Sequence, residues 1–538
     1  MNARSQLRAD DNAGWVLLLP APQPGAPMLC LELGDSRFAE GAAFWHDEVT
    51  ALNLSARMEA VFNAGSLIAE RPCSWRPGEV LPYRDGAFSI VICRLAGGAA
   101  AREAMPQVLP ELARVLNASG CLYVDVDNPG SYQAAGNGVS KRAGLRRGPL
   151  SRLLARAGFT HQSHHAQIFE HGRLTEVIPA QGYRATRNAW RSREMLKEWL
   201  LGRITHRWFA PVHAVRASRS PLSNPAFETL PALVGEGQGF RQFLVNPGKC
   251  FVAARNSTAA VPLITVVPTR ADTLTRRRIE LAALARLRAA GLSVVKLLPR
   301  VAREVPHGRH ALFEYEAFAG TTLDLPEPHF DASLQRAFRT LCDFNRDSLA
   351  RRALRADEMQ ALIWQPIEVA GTRYPAARAA AARLAKALQD SLADAIVPVV
   401  WQHGDFKLEN LVFGNQDREV RAIIDWELSA PTGLALVDLL YLVAYAEITR
   451  GAHEDVLPVV QACMLPGRWS GCGAALLDVY IQEFPEVTPF KDACIGLFLL
   501  HHVANRFTYD ARELNNHNLI AELMLNIAAR LEAAEPRP

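Results

Sequence analysis

Three oxygen-bearing side chains in the C-terminal half stand at spacings that suit phosphate chemistry. Asp405 precedes Asn410 in a D-x-x-x-x-N pattern, and Asp425 follows on the next apolar segment. Transfer of a phosphoryl group from ATP needs an acid that orients or deprotonates the acceptor hydroxyl, together with ligands for the metal that neutralises the phosphates. Carboxylate and amide oxygens are the ligands that Mg²⁺ prefers. The spacing therefore predicts a loop that presents a base, Asp405, and then an amide oxygen, Asn410.

Two short strands joined by a hairpin are predicted to position these side chains. Residues 398–401 (PVVW) are typical of a strand whose first position tolerates proline, and this strand leads into HGDFKLEN at 403–410. Residues 421–427 (RAIIDWE) predict a second strand that ends in acids, with a turn around Gly414. The alternative interpretation is a set of unrelated surface acids beside a β-hairpin.

The motifs H-G-D-x-x-x-x-N at 403–410 and I-D-W-E at 424–427 resemble those of the aminoglycoside phosphotransferase and choline kinase-like family. The resemblance implies an α+β protein-kinase-like C-terminal domain with two lobes, ATP and Mg²⁺ as cofactors, and a small-molecule acceptor. It also implies that His403 braces the loop and that Asp438 braces the core.

The same resemblance assigns roles to single residues. Asp405 would be the catalytic base, and Asn410 and Asp425 would be the magnesium ligands. Lys407 stands two residues after the base, where protein kinases often have a lysine near the transferred phosphate, and it would stabilise charge there.

Upstream segments resemble the nucleotide-binding lobe of that family. Residues 277–287 predict a helix that Gly291 ends, with Glu280 at the position of the family's αC glutamate. Residues 311–320 (ALFEYEAFAG), which include Glu316, resemble the strand and hinge that hold adenine. Gly237, in GEGQG at 235–239, is a candidate for the loop that covers the phosphates, and an ordinary turn is the alternative.

One position departs from the family pattern. The strand predicted at 262–268 should carry a lysine for the α- and β-phosphates, but Val266 stands in that place. Glu280 then lacks its expected partner. Lys249 or Arg270 could supply the charge from a neighbouring position, although a solvated turn is the alternative for both. A pseudokinase that binds nucleotide weakly is therefore a competing hypothesis.

The first half of the sequence has the rhythm of an α/β domain. Apolar runs at 28–33, 88–93 and 121–126 predict strands, and an amphipathic run at 107–116 predicts a helix. This alternation favours a parallel sheet with helices on both faces. Over about the first 220 residues the layout resembles the Rossmann-like class I S-adenosylmethionine-dependent methyltransferases. Residues 211–217 would then be the last, antiparallel strand.

The cofactor site implied by that second resemblance is degenerate. Gly34 is followed by Asp-Ser-Arg instead of further glycines, Asn53 replaces an expected acid, and only Glu79 could serve as the acid near 73–79. We therefore expect no S-adenosylmethionine binding, and a scaffold that takes a protein partner or dimerises through this domain. An intact methyltransferase site, which would make the chain bifunctional, is the alternative.

Length and composition set the remaining expectations. A length of 538 residues fits two large domains. The serine- and proline-rich junction at 218–225 predicts the boundary between domains at 1–220 and 226–538. The kinase-like resemblance implies a small lobe at about 226–320 and a large lobe at about 321–538. A net charge of +4 and 49% hydrophobic residues argue against nucleic acid as a partner. The nine cysteines form no C-x-x-C pair, which favours the cytoplasm, and no apolar run is long enough to predict a transmembrane segment.

The sequence thus predicts an ATP-dependent phosphotransferase, or kinase, that acts on a hydroxyl of a sugar, an amino alcohol or a related metabolite. The alternative is a scaffold or regulatory module built from a pseudokinase and a pseudo-methyltransferase. The helices after Asp425 are expected to shape the acceptor site, and the candidate residues there, each equally explicable as structural, are Tyr441, Tyr445, Glu447 and Asp510.

Overall fold

The structure is a computed structural model. It describes residues 25–33, 48–52, 75–95, 99–128, 146–170, 173–179, 212–221, 240–246, 249–254, 263–268, 271–307, 310–316, 318, 320–322, 329–414, 416–453, 455–466, 470–471, 473–506 and 517–534. The chain divides into two compact units, Met1–Thr275 with Val301–Ala317 and Arg276–Arg300 with Phe318–Pro538. The domain boundary expected near residue 220 stays a prediction.

Four parallel strands form the amino-terminal part of the sheet in the first unit. They are β1 (Met28–Leu33), β2 (Val49–Leu52), β3 (Phe88–Leu95) and β4 (Leu116–Asp127), in the order β2-β1-β3-β4. The three strands predicted from apolar runs are confirmed in β1, β3 and β4. The predicted helix is α1 (Ala99–Val115), which begins earlier than expected and contains two prolines. A second helix, α2 (Arg147–Arg156), follows β4.

One face of these strands carries the apolar core of the first unit. Alternate residues such as Leu29, Val91 and Leu122 are fully buried and cluster with Leu112 of α1 and Leu154 of α2. This period of two places every second side chain on the same face. Full burial of each such side chain is worth about 1.5–3 kcal/mol, so this face stabilises the parallel strands.

The sheet continues through antiparallel strands. These are β5 (His161–Glu170), β6 (Arg173–Pro179), β7 (Val212–Ser218), β8 (Phe240–Asn246), β9 (Lys249–Ala254), β10 (Leu263–Pro268), β11 (Val301–His307) and β12 (His310–Glu316). Strand β7 pairs antiparallel with both β4 and β5, which confirms the strand predicted at 211–217. The described residues thus form one sheet of twelve strands, in the order β11-β12-β10-β9-β8-β6-β5-β7-β4-β3-β1-β2.

The second unit is mainly helical. Helix α3 (Ala271–Ala290) belongs to this unit from Arg276 onwards, and Gly291 follows it with φ +68°, which confirms the predicted helix and its end. The other helices that the structure describes are α4 (Phe330–Ser348), α5 (Ala356–Met359), α6 (Gln365–Arg373), α7 (Arg378–Leu392), α8 (Val437–Thr449), α9 (Val456–Val459), α10 (Ala474–Glu483), α11 (Lys491–Arg506) and α12 (His517–Ala533). None of the described helices has the length and apolar character that a membrane span requires.

Two small antiparallel sheets carry the segment that the sequence singled out. Strands β13 (Ala350–Arg352), β14 (Val397–Gln402) and β17 (Ala430–Leu434) form one, and β15 (Leu411–Phe413) and β16 (Val420–Ile423) form the other. The strand predicted at 398–401 and the predicted hairpin are confirmed. The strand predicted at 421–427 ends at Ile423, because Asp425 takes a left-handed backbone conformation and residues 426–428 form a 3₁₀ turn.

Candidate active site

A tight loop connects β14 to β15 and carries three of the predicted site residues, Asp405, Lys407 and Asn410. Its turn depends on Gly404, whose φ is +83°. A Cβ atom at this position would lie 2.5 Å from the backbone oxygen of Leu428. Glycine is therefore required here both for its conformation and for the close approach of the neighbouring backbone.

We predict that Gly404→Ala lowers the free energy of unfolding by at least about 3 kcal/mol, because it adds a steric clash to a left-handed backbone. The matched control is Gly451→Ala, since Gly451 has φ +77° but no atom within 4 Å of its Cβ position. That control should cost only about 1 kcal/mol. Urea denaturation of both variants checks the difference, and equal losses would show that the Leu428 contact does not constrain the loop.

Buried side chains fix the backbone of the loop. Asp438 Oδ2 accepts the backbone N–H of His403 at 2.7 Å, and its Oδ1 accepts that of Gly404 at 2.9 Å. His403 Nε2 lies 2.9 Å from the backbone oxygen of Ile424, just after β16. Burial lowers the pKa of His403 to about 4, so the ring is neutral at pH 7 and must carry its proton on Nε2 to donate this bond. His403 thereby ties the loop to the backbone just before Asp425.

Asp405 and Asn410 are joined directly. Asn410 Nδ2 donates to the backbone oxygen of Asp405 and to its carboxylate Oδ2, both at 2.9 Å. Because the amide nitrogen makes both bonds, the Oδ1 atom of Asn410 remains as the acceptor end of the side chain. Burial raises the pKa of Asp405, although Lys407 and Asn410 act in the opposite direction. A carboxylate with a raised pKa is better suited to remove a proton near neutral pH.

Lys407 lies beside the carboxylate of Asp405. Its Nζ atom is 3.0 Å from Asp405 Oδ2, 3.6 Å from Glu409 Oε2 and 4.5 Å from the centre of the Tyr445 ring. Burial would lower the pKa of Lys407, but attraction to these neighbours, Asp405 first, raises it above its ordinary value. Lys407 is therefore a fixed positive charge next to the predicted base.

Asp425 lies on the other side of the hairpin in a rare backbone conformation. Its φ is +61°, in the left-handed region that aspartate enters more readily than most residues. Its side chain is 33% exposed, and Oδ1 accepts a bond from Arg277 Nη2 at 3.1 Å. Glu427, two residues later, also binds Arg277. A partly exposed carboxylate at a constrained turn is suited to bind a ligand from solvent.

Arg277 is the residue of this site that sequence reasoning missed. It lies on α3 one turn before Glu280, its side chain is only 3% exposed, and Nη1 binds Glu280 Oε2 at 2.6 Å. Glu280 Oε1 in turn accepts the backbone N–H of Trp426 at 3.3 Å. The i,i+3 spacing of Arg277 and Glu280 was the available signal, since such residues share a helix face. The bonds to Asp425 and Glu427 are not visible in any local pattern.

The donor set of this site fits magnesium. Within the described part of the chain, no group of three or more His, Cys, Asp or Glu side chains could hold a metal ion. The ligands predicted for magnesium are the carboxylate of Asp425 and the amide oxygen of Asn410. Mg²⁺ is commonly held by one or two carboxylates together with water and substrate phosphates, so a closed protein cage is not needed.

The other predicted nucleotide-binding residues lie in the first unit or outside the described residues. Val266 is buried in β10 and pairs with Phe313 of β12. Glu316 is the last residue of β12, and Lys249 is the first residue of β9. Gly237 and Arg270 lie outside the described residues. Their roles toward a nucleotide stay predictions.

The acceptor candidates have different environments. Tyr445 is partly exposed under the Lys407 ammonium group. Tyr441 is buried against Phe498, with ring centres 4.7 Å apart, and burial raises its pKa. Glu447 is also buried, and Asp510 lies outside the described residues. Tyr445 is therefore the candidate that both approaches the site and reaches solvent.

The geometry brings most of the predicted site residues together. The predicted base Asp405 and the predicted metal ligand Asn410 share one loop, Asp425 follows the hairpin, and Glu280 of α3 accepts the backbone N–H of Trp426 beside it. The family model described as "Phosphotransferase enzyme family" matches residues 232–459. The C-terminal region therefore carries a domain of the phosphotransferase enzyme family.

Solved structures of aminoglycoside phosphotransferases align with the chain at low identity. A thermostable mutant of APH(4)-Ia, in a ternary complex with ADP and hygromycin B, has 14% identity and a TM-score of 0.39, covering 57% of this chain and 98% of its own. APH(3'')-Id from Streptomyces rimosus has 17% identity and a TM-score of 0.33, covering 51% and 96%. Spectinomycin phosphotransferase APH(9)-Ia has 12% identity and a TM-score of 0.31, covering 55% and 92%. No curated protein matches the chain.

Proposed function

We propose that the C-terminal region transfers the γ-phosphoryl group of Mg-ATP to a hydroxyl of a small molecule, such as a sugar or an amino alcohol. The observation that carries the proposal is the direct bond between Asn410 and the Asp405 carboxylate, at 2.9 Å. It holds the proposed base and the proposed metal ligand as one unit. The family match over residues 232–459 supports the same chemistry.

Each residue of the site has a role in this proposal. Asp405 orients the acceptor hydroxyl and takes its proton, and the pKa raised by burial favours that transfer. Lys407 offsets negative charge beside the base. Asn410 and Asp425 would hold magnesium, and a bound magnesium ion would offset the negative charge of the phosphates. Transfer then depends on positioning and charge, without a covalent enzyme intermediate.

Magnesium-dependent nucleotide binding is the first consequence to test. We expect Mg-ATP at 100 times its dissociation constant to stabilise the protein by about 2.7 kcal/mol. Asp425→Ala should abolish the part of this stabilisation that requires magnesium, because it removes the only carboxylate assigned to the metal. A thermal-shift titration with ATP, with and without MgCl₂, measures both effects.

Asp390→Ala is the control, since Asp390 is an exposed aspartate on α7 paired only with Lys386 at 2.9 Å among the bonds of the described residues. It should respond to Mg-ATP as the unmodified protein does. Stabilisation that persists in Asp425→Ala would contradict the metal assignment. No stabilisation of the unmodified protein would contradict the kinase proposal itself.

A scaffold without catalysis is the second candidate function. It is favoured by Val266, because a buried valine cannot supply the cation that the family places on this strand. Failure of the unmodified protein to bind Mg-ATP would support it.

For the N-terminal region we propose a Rossmann-like, methyltransferase-type domain that binds no S-adenosylmethionine and serves as a protein-binding or dimerisation module. The antiparallel placement of β7 beside β4 supports the fold. Gly34 and Asn53 lie outside the described residues. S-adenosylmethionine in the same thermal-shift experiment should leave the melting temperature unchanged, and a rise would contradict a degenerate site.

The buried thiols of Cys30, Cys93, Cys121, Cys342, Cys463 and Cys494 support the cytoplasm as the compartment.

A further inference from the structure

The polyphosphate of a nucleotide requires the active site to control a large negative charge. In the family pattern, a strand lysine and the helix glutamate form one ion pair that serves this purpose. Here the strand residue is Val266, so Glu280 needs a different cation. The following inference rests on the proposed function, since it concerns how this chain holds magnesium and nucleotide without that lysine.

Arg277 supplies a buried cation from the helix itself. Its guanidinium group binds three carboxylates: Glu280 at 2.6 Å, Asp425 at 3.1 Å, and Glu427. A buried carboxylate is costly unless it is paired and hydrogen-bonded, so the guanidinium makes this acidic cluster stable. The planar fork of arginine can bind several carboxylates at once, whereas a lysine ammonium is a compact point charge.

The contacts of Arg277 reach the proposed metal ligand. Nη2 binds Asp425 Oδ1 at 3.1 Å, which restrains the rotation of that carboxylate about its χ2 angle. Glu280 binds both Arg277 and the backbone N–H of Trp426, the residue after Asp425. Asp425 is therefore held both through its side chain and through the backbone of Trp426. Both contacts are made by residues of α3, Arg277 and Glu280. Partners of this kind orient a metal ligand and tune its affinity.

We infer that Arg277 is the positioning cation of the magnesium and nucleotide site, taking over from helix α3 the pairing with Glu280 and orienting Asp425 for the metal. Arg277 acts through Asp425, so its effect should appear as a change in magnesium affinity. A residue that only stabilises the fold would lower the melting temperature and leave the magnesium dependence unchanged.

The test compares Arg277→Met, Arg277→Lys and Arg278→Met. Arg278 is the matched control because it is the next residue of α3 and is exposed. The readout is the MgCl₂ concentration that gives half of the ATP-dependent thermal shift. Two reference measurements use AMP and magnesium-free ATP. Circular dichroism establishes that each variant is folded.

We expect Arg277→Met to raise the half-saturating magnesium concentration by about 10- to 100-fold, the usual cost of losing a partner of a metal ligand. Arg277→Lys should give a smaller rise, because its charge remains but the fork geometry is lost. Arg278→Met should match the unmodified protein, and AMP binding should be equal in all four proteins.

Two results would overturn the inference, and they are distinguishable. If the unmodified protein shows no magnesium-dependent shift, the proposed function and the role of Arg277 fail together. If it shows the shift, and the folded Arg277 variants keep the same half-saturating magnesium concentration, only the role of Arg277 fails. If Arg277→Met does not fold, the test relies on Arg277→Lys. An unchanged half-saturating magnesium concentration in that variant would overturn the inference.

Discussion

Replacing Asp405 by asparagine should lower kcat by about 10²- to 10⁴-fold, the range by which a positioned general base accelerates proton transfer. Asparagine keeps the size of the side chain but cannot accept the hydroxyl proton. Binding of Mg-ATP should be retained, because the proposed metal ligands are Asn410 and Asp425. The measurement is ADP formation from Mg-ATP in the presence of a panel of monosaccharides and amino alcohols, with the melting temperature recorded for each variant.

The matched control is Glu409→Gln. Glu409 lies in the same loop, is 43% exposed, and also approaches Lys407, at 3.6 Å. Glu409→Gln therefore removes one negative charge near Lys407 without removing the base. We expect kcat to stay within about threefold, because Glu409 is exposed to solvent and its contact with Lys407 is long. Equal losses in both variants would mean that charge around Lys407, and not proton transfer to Asp405, limits the rate.

The pH dependence of the reaction follows from the same residue. Asp405 acts in its ionised form, and burial raises its pKa. The rate should fall as the pH decreases through that raised pKa. The residual rate of Asp405→Asn should not show this fall at low pH.

Local patterns were sufficient to predict the secondary structure around Asp405, but not the tertiary contacts that hold this segment. The strand before His403, the hairpin at Gly414 and the end of α3 at Gly291 follow from apolar runs and turn residues that lie close together in sequence. The contact between Arg277 and Asp425 joins residues 148 positions apart, and neither flanking sequence specifies it. Such a contact depends on how α3 packs within the second unit, which no short motif encodes.

Contacts between residues distant in sequence also explain why the strand predicted at 421–427 ends early. Residues 421–427 are apolar and then acidic, which is typical of a strand, but Asp425 adopts φ +61° and ends the extended run. The residues on either side of Asp425 are bonded to distant parts of the chain: the Trp426 N–H donates to Glu280, and the Ile424 backbone oxygen accepts a bond from His403. Tertiary contacts therefore override the local β pattern at Asp425, one of the two residues proposed to bind metal.

Loss of the Asp438 side chain should strongly reduce the stability of the second unit. Its side chain is buried, and its two oxygens accept the backbone N–H groups of His403 and Gly404. Asp438→Ala leaves both donors buried without an acceptor, and each unsatisfied group costs about 1–3 kcal/mol. We expect a total loss of about 2–6 kcal/mol in the free energy of unfolding. Urea denaturation followed by tryptophan fluorescence measures it, because Trp426 is buried in this unit.

The control for this substitution is Asp343→Ala, since Asp343 is exposed and pairs with Arg346 on the surface of α4. Its loss should cost less than about 1 kcal/mol. A loss of similar size in both variants would show that Asp438 does not brace the loop.

The pH dependence of stability gives a second, independent measure of Asp438. Burial raises its pKa from 3.8 to about 7, although the two N–H donors act in the opposite direction. Below pH 3.8 the carboxyl is protonated in both states. As the pH rises from there to about 7, only the unfolded state ionises readily, so the free energy of unfolding should fall across this window. Asp438→Asn cannot ionise and should lose this slope while keeping one oxygen acceptor for the loop. An unchanged slope in Asp438→Asn would mean that another group titrates, and would leave the hydrogen bonds to His403 and Gly404 as the whole contribution of Asp438.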